Sequence, residues 1–236
     1  MRIFQGAGLS DQIGKLVEPS QGMEFVDSKG ERLFTYEDFE RSPILGWCED
    51  YVFQQPQLDR VLREGLERFP DVELILGSEV TDLDSVDAQF VIACDGASSN
   101  TRRNLGIGLG DWGFEQYWLV VYLMLDGDAG LPPVIQQVCD ADRPATYVPS
   151  AHGHHRWEFR LMDGESHEEY EDHRRVRELL RPWLSDDAGE IVRAAAYRFH
   201  AVVAERWRDG RFLLAGDAAH QMPPFIGQGM CCLLYT

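Results

Sequence analysis

The run from Gly210 to Gly229, GRFLLAGDAAHQMPPFIGQG, brings a carboxylate, paired prolines and a glycine turn into one short stretch. Phe212 to Ala215 is an apolar run after the turn glycine Gly210, and it reads as a buried strand. The strand ends in Gly216-Asp217, and a carboxylate at a strand's carboxyl end can accept hydrogen bonds from a ligand hydroxyl. Pro223-Pro224 then stiffens the backbone and removes two N–H donors. Gly227-Gln228-Gly229 supplies a flexible turn whose N–H groups can face an electron-rich ligand edge. A helix is expected to begin there and to add its positive N-terminal end. All of this is binding chemistry; no side chain declares itself a catalytic acid or base.

A second run has related features. Phe90 to Ala93 is apolar and leads into Cys94-Asp95-Gly96-Ala97-Ser98-Ser99, followed by Arg102-Arg103. Asp95 at a strand end can hold backbone donors and fix the loop, and Gly96 allows close backbone approach. Arg102 could meet a phosphate. The plainer alternative is a strand–turn–helix with Asp95 as a helix cap.

Together these runs resemble the class A flavoprotein aromatic hydroxylases, the p-hydroxybenzoate-hydroxylase-like FAD monooxygenases. The resemblance places Gly216, Asp217 and Ala218 at FAD, with Asp217 on the ribityl chain. It puts Pro224 beside the flavin ring, its carbonyl near the substrate. Gly227, Gln228 and Gly229 would face the pyrimidine side, where donors stabilise negative charge on the reduced ring. Asp95 and Gly96 would touch both FAD and the docking surface of the nicotinamide cofactor. Gln57, at the start of a helix opened by Pro56, matches a residue that reaches the flavin linker; a solvated helix-start glutamine is the alternative. The segments DWGFEQYWLVV, VIQQVCDADRPATYVPS, HRWEF and FHAVVAERWRDGRFLLAGDAAHQMPPFIGQGM are similar to those of 3-(3-hydroxyphenyl)propionate hydroxylases. The implied reaction takes FAD as cofactor, NADH or NADPH as co-substrate, and a small phenolic substrate with O2.

The fold implied is α/β: an incomplete Rossmann-type flavin domain plus a mixed-sheet substrate domain. The expected division is residues 1–105 and 208–236 for a discontinuous FAD-binding domain, and 106–207 for the substrate sheet. No G-x-G-x-x-G precedes residue 10 or occurs later, so the chain is expected to start inside the family's first domain and to stop before its last. The alternative function is therefore a truncated, inactive relative that does not bind FAD stably.

Local patterns place the elements. Met1 to Gly8 reads as a helix tail. Met23 to Val26 and Arg32 to Phe34 flank the turn Asp27 to Gly30 as a hairpin. Pro56 opens a helix whose apolar stripe is Leu58, Val61, Leu62, Leu66 and Phe69. Val72, Leu74 and Leu76 alternate as in a strand. Trp118 to Leu125, Val134 to Val138, Ala145 to Val148, Arg156 to Leu161 and Ala194 to Val203 read as strands of a broad sheet. Asp163 to Asp172 reads as a solvated acidic loop, followed by a helix carrying Val176, Leu179, Leu180 and Trp183.

Composition limits the partners. The chain has 236 residues, 44% hydrophobic and 26% charged, which suits a globular protein with a real core. A formal charge of −18 repels phosphate backbones and argues against nucleic acid. No apolar run approaches a membrane span. Five cysteines without C-x-x-C spacing suggest reduced thiols in a cytoplasmic protein. His152, His154 and His155 fit a polar turn better than a metal site. His200 reads as a structural histidine and His220 as a loop-positioning one. Oligomeric state is left open, a homo-oligomer included.

Overall fold

The computed structural model describes residues 1–36, 44, 46–127, 129–150, 153–227 and 229–233. The chain divides into two compact units. Unit 1 comprises Met1–Leu74 and Trp118–Tyr197; unit 2 comprises Ile75–Tyr117 and Arg198–Thr236.

Unit 1 opens with two short helices, α1 (Arg2–Gly6) and α2 (Ser10–Ile13), and later contributes α3 (Gln55–Leu66). Pro56 lies in the first turn of α3, where its missing N–H leaves no bond unmade. Leu58 and Val61 from the predicted stripe bury against Leu9 and Ile13. Phe69, beyond the helix end, is exposed. Strand β1 (Val17–Pro19) pairs antiparallel with β4 (Tyr51–Phe53). Between them, β2 (Met23–Val26) and β3 (Arg32–Tyr36) form the expected hairpin. Its turn is closed by Asp27 Oδ1, which accepts from the N–H groups of Lys29 at 2.9 Å and Glu31 at 2.8 Å.

The large sheet is built from β6 (Leu109–Met124), β7 (Ile135–Val138), β8 (Ala145–Pro149), β9 (His154–Arg160) and β10 (Glu190–Ala204). In unit 1 its order is β10-β6-β9-β8-β7-β2-β3. The β2–β7 pair is parallel and its neighbours are antiparallel, so the sheet is mixed. That parallel pairing takes β2 and β3 into the sheet. With them Met1–Leu74 falls in the same compact unit as Trp118–Tyr197.

Strand alternation buries one face of this sheet completely. Leu119, Val121, Leu123, Tyr147, Trp157 and Phe159 pack with Val176 and Leu180 of α5 (His173–Leu180). Burial of each such side chain contributes about 1.5–3 kcal/mol. Trp183 adds an edge contact to Phe159, ring centroids 5.8 Å apart. The acidic run before α5 is not merely solvated. Glu165 accepts from Arg143 Nη1 at 2.6 Å and Nη2 at 2.5 Å, from the Met162 N–H at 2.7 Å and from Tyr170 Oη at 2.9 Å. The Arg143 hydrogen bonds, helped by the other two donors, outweigh burial and hold its carboxyl at about 2.

Unit 2 contains β5 (Val91–Ala93), α4 (Asn100–Asn104), β11 (Arg208–Asp209), β12 (Phe212–Leu214), β13 (His220–Gln221) and α6 (Gly229–Leu233). Strand β12 runs between parallel β5 and antiparallel β11. Ala93, Ile107, Ala204, Leu214 and Ala219 form its core. The residues after Leu76 form no strand before β5, and Val72, Leu74 and Leu76 are not the strand their alternation predicts. They remain 49%, 47% and 64% exposed, so neither a paired edge nor a buried face acts on the pattern. Arg211 holds part of this segment instead. Its guanidinium donates to the carbonyls of Leu83, Val86 and Ala88 at 3.1, 2.6 and 2.8 Å. No helix among the described residues is long and apolar enough to cross a membrane.

Candidate functional site

The site in unit 2 begins with register. Val91, Ile92 and Ala93 of β5 lie opposite Phe212, Leu213 and Leu214 of β12, so the two strands end level. The Ala215 N–H donates to the Ala93 carbonyl at 3.0 Å and extends the match by one step. The Asp95 and Asp217 loops therefore leave the same end of the same small sheet. Loops at the carboxyl ends of parallel strands are where open α/β sheets bind ligands.

Arg102 and Gln221 tie the loops together. Arg102 is 5% exposed. Its Nη1 donates to the carbonyl of Ala97 at 3.3 Å and to that of Ala218 at 3.2 Å. Gln221 Nε2 donates to the same Ala97 carbonyl at 3.1 Å, while its Oε1 is hydrogen-bonded to His200 Nε2. Arg102, expected as a phosphate contact, thus points at backbone carbonyls. Burial pulls its guanidinium below the usual arginine range, and its neighbour Arg103 adds to that.

Asp95 is also committed locally. Ser99 Oγ donates to its Oδ1 at 2.5 Å and the Thr101 N–H to its Oδ2 at 2.9 Å. Ser99 in turn caps α4 by accepting from the Arg102 N–H at 2.9 Å. Partial burial raises the Asp95 carboxyl, but the donors from Ser99 and Thr101 outweigh it and hold the group below the ordinary range. Gly96 follows at φ +80°, which only glycine adopts freely.

Asp217 differs from Asp95. It sits in a 3-10 turn, Gly216–Ala218, is exposed, and makes no side-chain hydrogen bond or ion pair with any described residue. Ala218 beside it is fully buried. Further on, the Pro224 carbonyl accepts from the Gly227 N–H at 3.0 Å, and Gly229 begins α6. A Cβ added at Gly96, Gly216, Gly227 or Gly229 would meet nothing within 4 Å. The backbone there is uncovered. An unpartnered carboxylate beside bare backbone suits a hydroxylated chain joined to a flat ring, so the residues fit a flavin. Gln228 lies outside the described residues. Gln57 belongs to unit 1, where its Nε2 donates to Gln54 Oε1 at 2.9 Å.

Sequence reasoning passed over Gln221, which carries no motif signal. The ring of His220 stacks on Trp207 at 5.5 Å and 11°, as suits a loop-positioning residue. A shallow depression of about 290 Å³ lies elsewhere, against Thr81, Asp84, Asn104 and the start of β12 at Phe212. It is at the opposite end of β12 from Asp217. No group of His, Cys, Asp or Glu among the described residues could hold a metal ion.

Residues 81–232 match the family described as FAD binding domain. The chain belongs to that family. Among curated relatives of this FAD binding domain protein is a "Probable NADH-specific resorcinol 4-hydroxylase" of Rhodococcus jostii (strain RHA1). It is 34% identical over an alignment of 249 positions that covers 98% of this chain and 47% of the relative. The 3-(3-hydroxy-phenyl)propionate/3-hydroxycinnamic acid hydroxylase of Comamonas testosteroni is 34% identical over 97% of this chain and 41% of its own length. The chain thus spans less than half the length of these relatives. Among solved structures, p-nitrophenol 4-monooxygenase PnpA from Pseudomonas putida DLL-E4 superposes with a TM-score of 0.79 at 23% identity, over 96% of this chain and 62% of that one. A ternary complex of aklavinone-11 hydroxylase with FAD and aklavinone gives 0.76 at 19% identity, over 99% and 51%. The family member has the α/β fold of these flavin-dependent monooxygenases, with its large mixed sheet.

Proposed function

We propose that this chain is the flavin- and substrate-binding part of an FAD-dependent monooxygenase that hydroxylates a phenolic aromatic acid such as 3-(3-hydroxyphenyl)propionate. The overall change is phenol + NAD(P)H + H⁺ + O2 → catechol + NAD(P)⁺ + H2O. The observation that carries the reading is the level ending of β5 and β12, which sets the unpartnered Asp217 carboxylate beside the braced Asp95 loop. The names of the relatives support a phenolic substrate, and one of them names NADH.

When bound, FAD supplies the hydride acceptance and oxygen activation that no side chain here can provide. The chain's own residues bind and orient. Asp217 accepts hydrogen bonds from the ribityl hydroxyls, with Gly216 and Ala218 shaping the turn. Gly227, Gln228 and Gly229 present backbone to the ring's pyrimidine edge, and donors there favour negative charge on the reduced ring. Pro224 borders the ring. Asp95 and Gly96 shape the neighbouring wall, held by Arg102. Gln57 is assigned to the flavin linker.

The test is direct. The purified full chain is titrated with FAD by flavin fluorescence, and NADH and NADPH oxidation is followed with and without the phenolic acid. Saturable FAD binding with phenol-stimulated oxidation supports the proposal. A folded chain that ignores FAD contradicts it.

A further inference from the structure

Val202 of β10 lies opposite Gln221 of β13, and Val203 lies opposite His220. Side chains two apart on a strand share a face, so His200 stands on the face of Val202 and Ala204. Both of those are buried. Gln221 is the diagonal neighbour of His200 on that face, within reach of a long side chain. A half-buried histidine among apolar neighbours needs a polar partner. His200 has one: its Nε2 is hydrogen-bonded to Gln221 Oε1. The other end of the same amide donates to the Ala97 carbonyl at 3.1 Å. His200, Gln221 and Ala97 all belong to unit 2.

The chemistry of these groups fixes the direction of both bonds. A backbone carbonyl only accepts, so the amide must turn its NH2 towards Ala97. The amide oxygen is left facing His200, and the ring nitrogen there must carry a proton. The neutral Nε2–H tautomer and the imidazolium both meet that demand. A reversed amide would set oxygen against oxygen at Ala97. The Ala97 carbonyl also receives Arg102 Nη1 and Nη2 at 3.3 and 3.4 Å. Arg102 comes from α4, in the same run of chain as Asp95, whereas Gln221 comes from 124 positions away. Gln221 is therefore a strut from β13 to the Asp95 loop. Apolar residues of the same shape could hold β13 on β10 at little cost in stability. What the polar pair adds is orientation, since a satisfied network holds one arrangement. The loop it holds turns through Gly96 at φ +80°, where the backbone has most freedom to move.

We infer that His200 is a positioning residue for the flavin site. It holds the Gln221 amide in the one orientation that donates to Ala97, and the Asp95–Ala97 loop is thereby kept in place beside the Asp217 turn. This rests on the flavin reading above and adds a residue that acts through Gln221 rather than by contact with the cofactor. The role needs a donor at Nε2, and no proton is transferred.

The experiment takes two readings on the full chain: FAD affinity by flavin fluorescence, and the Ser98 amide by proton–nitrogen correlation NMR without FAD. The Ser98 N–H shares its peptide unit with the Ala97 carbonyl, so its resonance reports the hydrogen bonds made there. His200→Phe keeps a ring and removes the donor. FAD should bind about 3- to 10-fold more weakly, the scale of one neutral hydrogen bond, and the Ser98 resonance should move. His200→Gln puts an amide N–H where Nε2 stood and should bring FAD affinity back to within about twofold of wild type. Gln221→Leu removes the strut itself and carries the expectation of His200→Phe should that variant not fold. Equal loss in His200→Phe and His200→Gln overturns the inference, because bulk and not the donor would then matter. So does wild-type FAD affinity in His200→Phe and Gln221→Leu, whether or not Ser98 moves. Either result leaves the flavin reading intact so long as the wild-type chain binds FAD. A folded wild-type chain that does not bind FAD overturns that reading and this inference with it.

Discussion

Arg102 Nη1 stands 3.2 Å from the carbonyl of Ala218, a residue 116 positions further along the chain. The same nitrogen reaches Ala97, so one buried cation holds both loops of the proposed flavin site. Arg102→Ala leaves those carbonyls without their charged donor. Stability should fall by roughly 1.5–3 kcal/mol, the scale of a charged hydrogen bond. FAD affinity should fall with it, because the two loops lose their common tether. Urea unfolding and FAD titration measure the two effects, and unchanged values in both would remove Arg102 from this role.

Asp217→Ala separates binding from folding. The carboxylate has no protein partner among the described residues, so the unfolding midpoint should stay where it is. FAD binding should weaken by roughly 1.5–3 kcal/mol if the ribityl hydroxyls depend on it. A variant that keeps full FAD affinity would exclude Asp217 from the site.

Gly216→Ala tests the turn that presents Asp217. Gly216 has φ +62°, and an added Cβ meets nothing within 4 Å. The cost is therefore backbone strain without a clash, about 1–2 kcal/mol. The methyl also projects into open space that a flavin would occupy. Thermal unfolding should show the strain, and FAD affinity should fall by more than in a control such as Gly6→Ala, where φ is helical.

Glu165 gives a pH dependence of known sign. Its folded value is held at about 2, below the ordinary 4.5, by Arg143 first and then by the Met162 N–H and Tyr170. A depressed carboxyl contributes stability that is fully present above the unfolded value and is lost as pH falls through the folded one. Unit 1 should lose this contribution between about pH 4.5 and 2. Glu165→Gln should flatten that part of the profile and cost roughly 1.5–3 kcal/mol at neutral pH. Denaturant unfolding at stepped pH checks both.

Part of the candidate site is local in the sequence. Asp217, Gly216 and Gly227 stand out because a carboxylate at a strand end and glycines in a bend are local chemistry. The strands Phe212 to Leu214 and Val91 to Ala93 were legible from short apolar runs. The Val72 to Leu76 alternation misled, since a period of two predicts a strand only where an edge and a face are there to receive it. Arg102 reads as a phosphate ligand in sequence because nothing local reveals that Ala218 will supply the carbonyl it meets. Glu165 reads as solvated because Arg143 lies far away in the chain.

Residue type and spacing alone determined that this chain builds α/β elements, follows β12 with a Gly-Asp turn, and puts glycine where the backbone must turn. Those are properties of neighbours a few positions apart, where sterics and periodicity act directly. Tertiary structure decided the rest: that β2 joins β7, that the Asp95 and Asp217 loops end level, and that Arg102 and Gln221 both meet the Ala97 carbonyl. Such choices depend on the pairing of distant strands, where one step of register turns a strand's side chains to the other face.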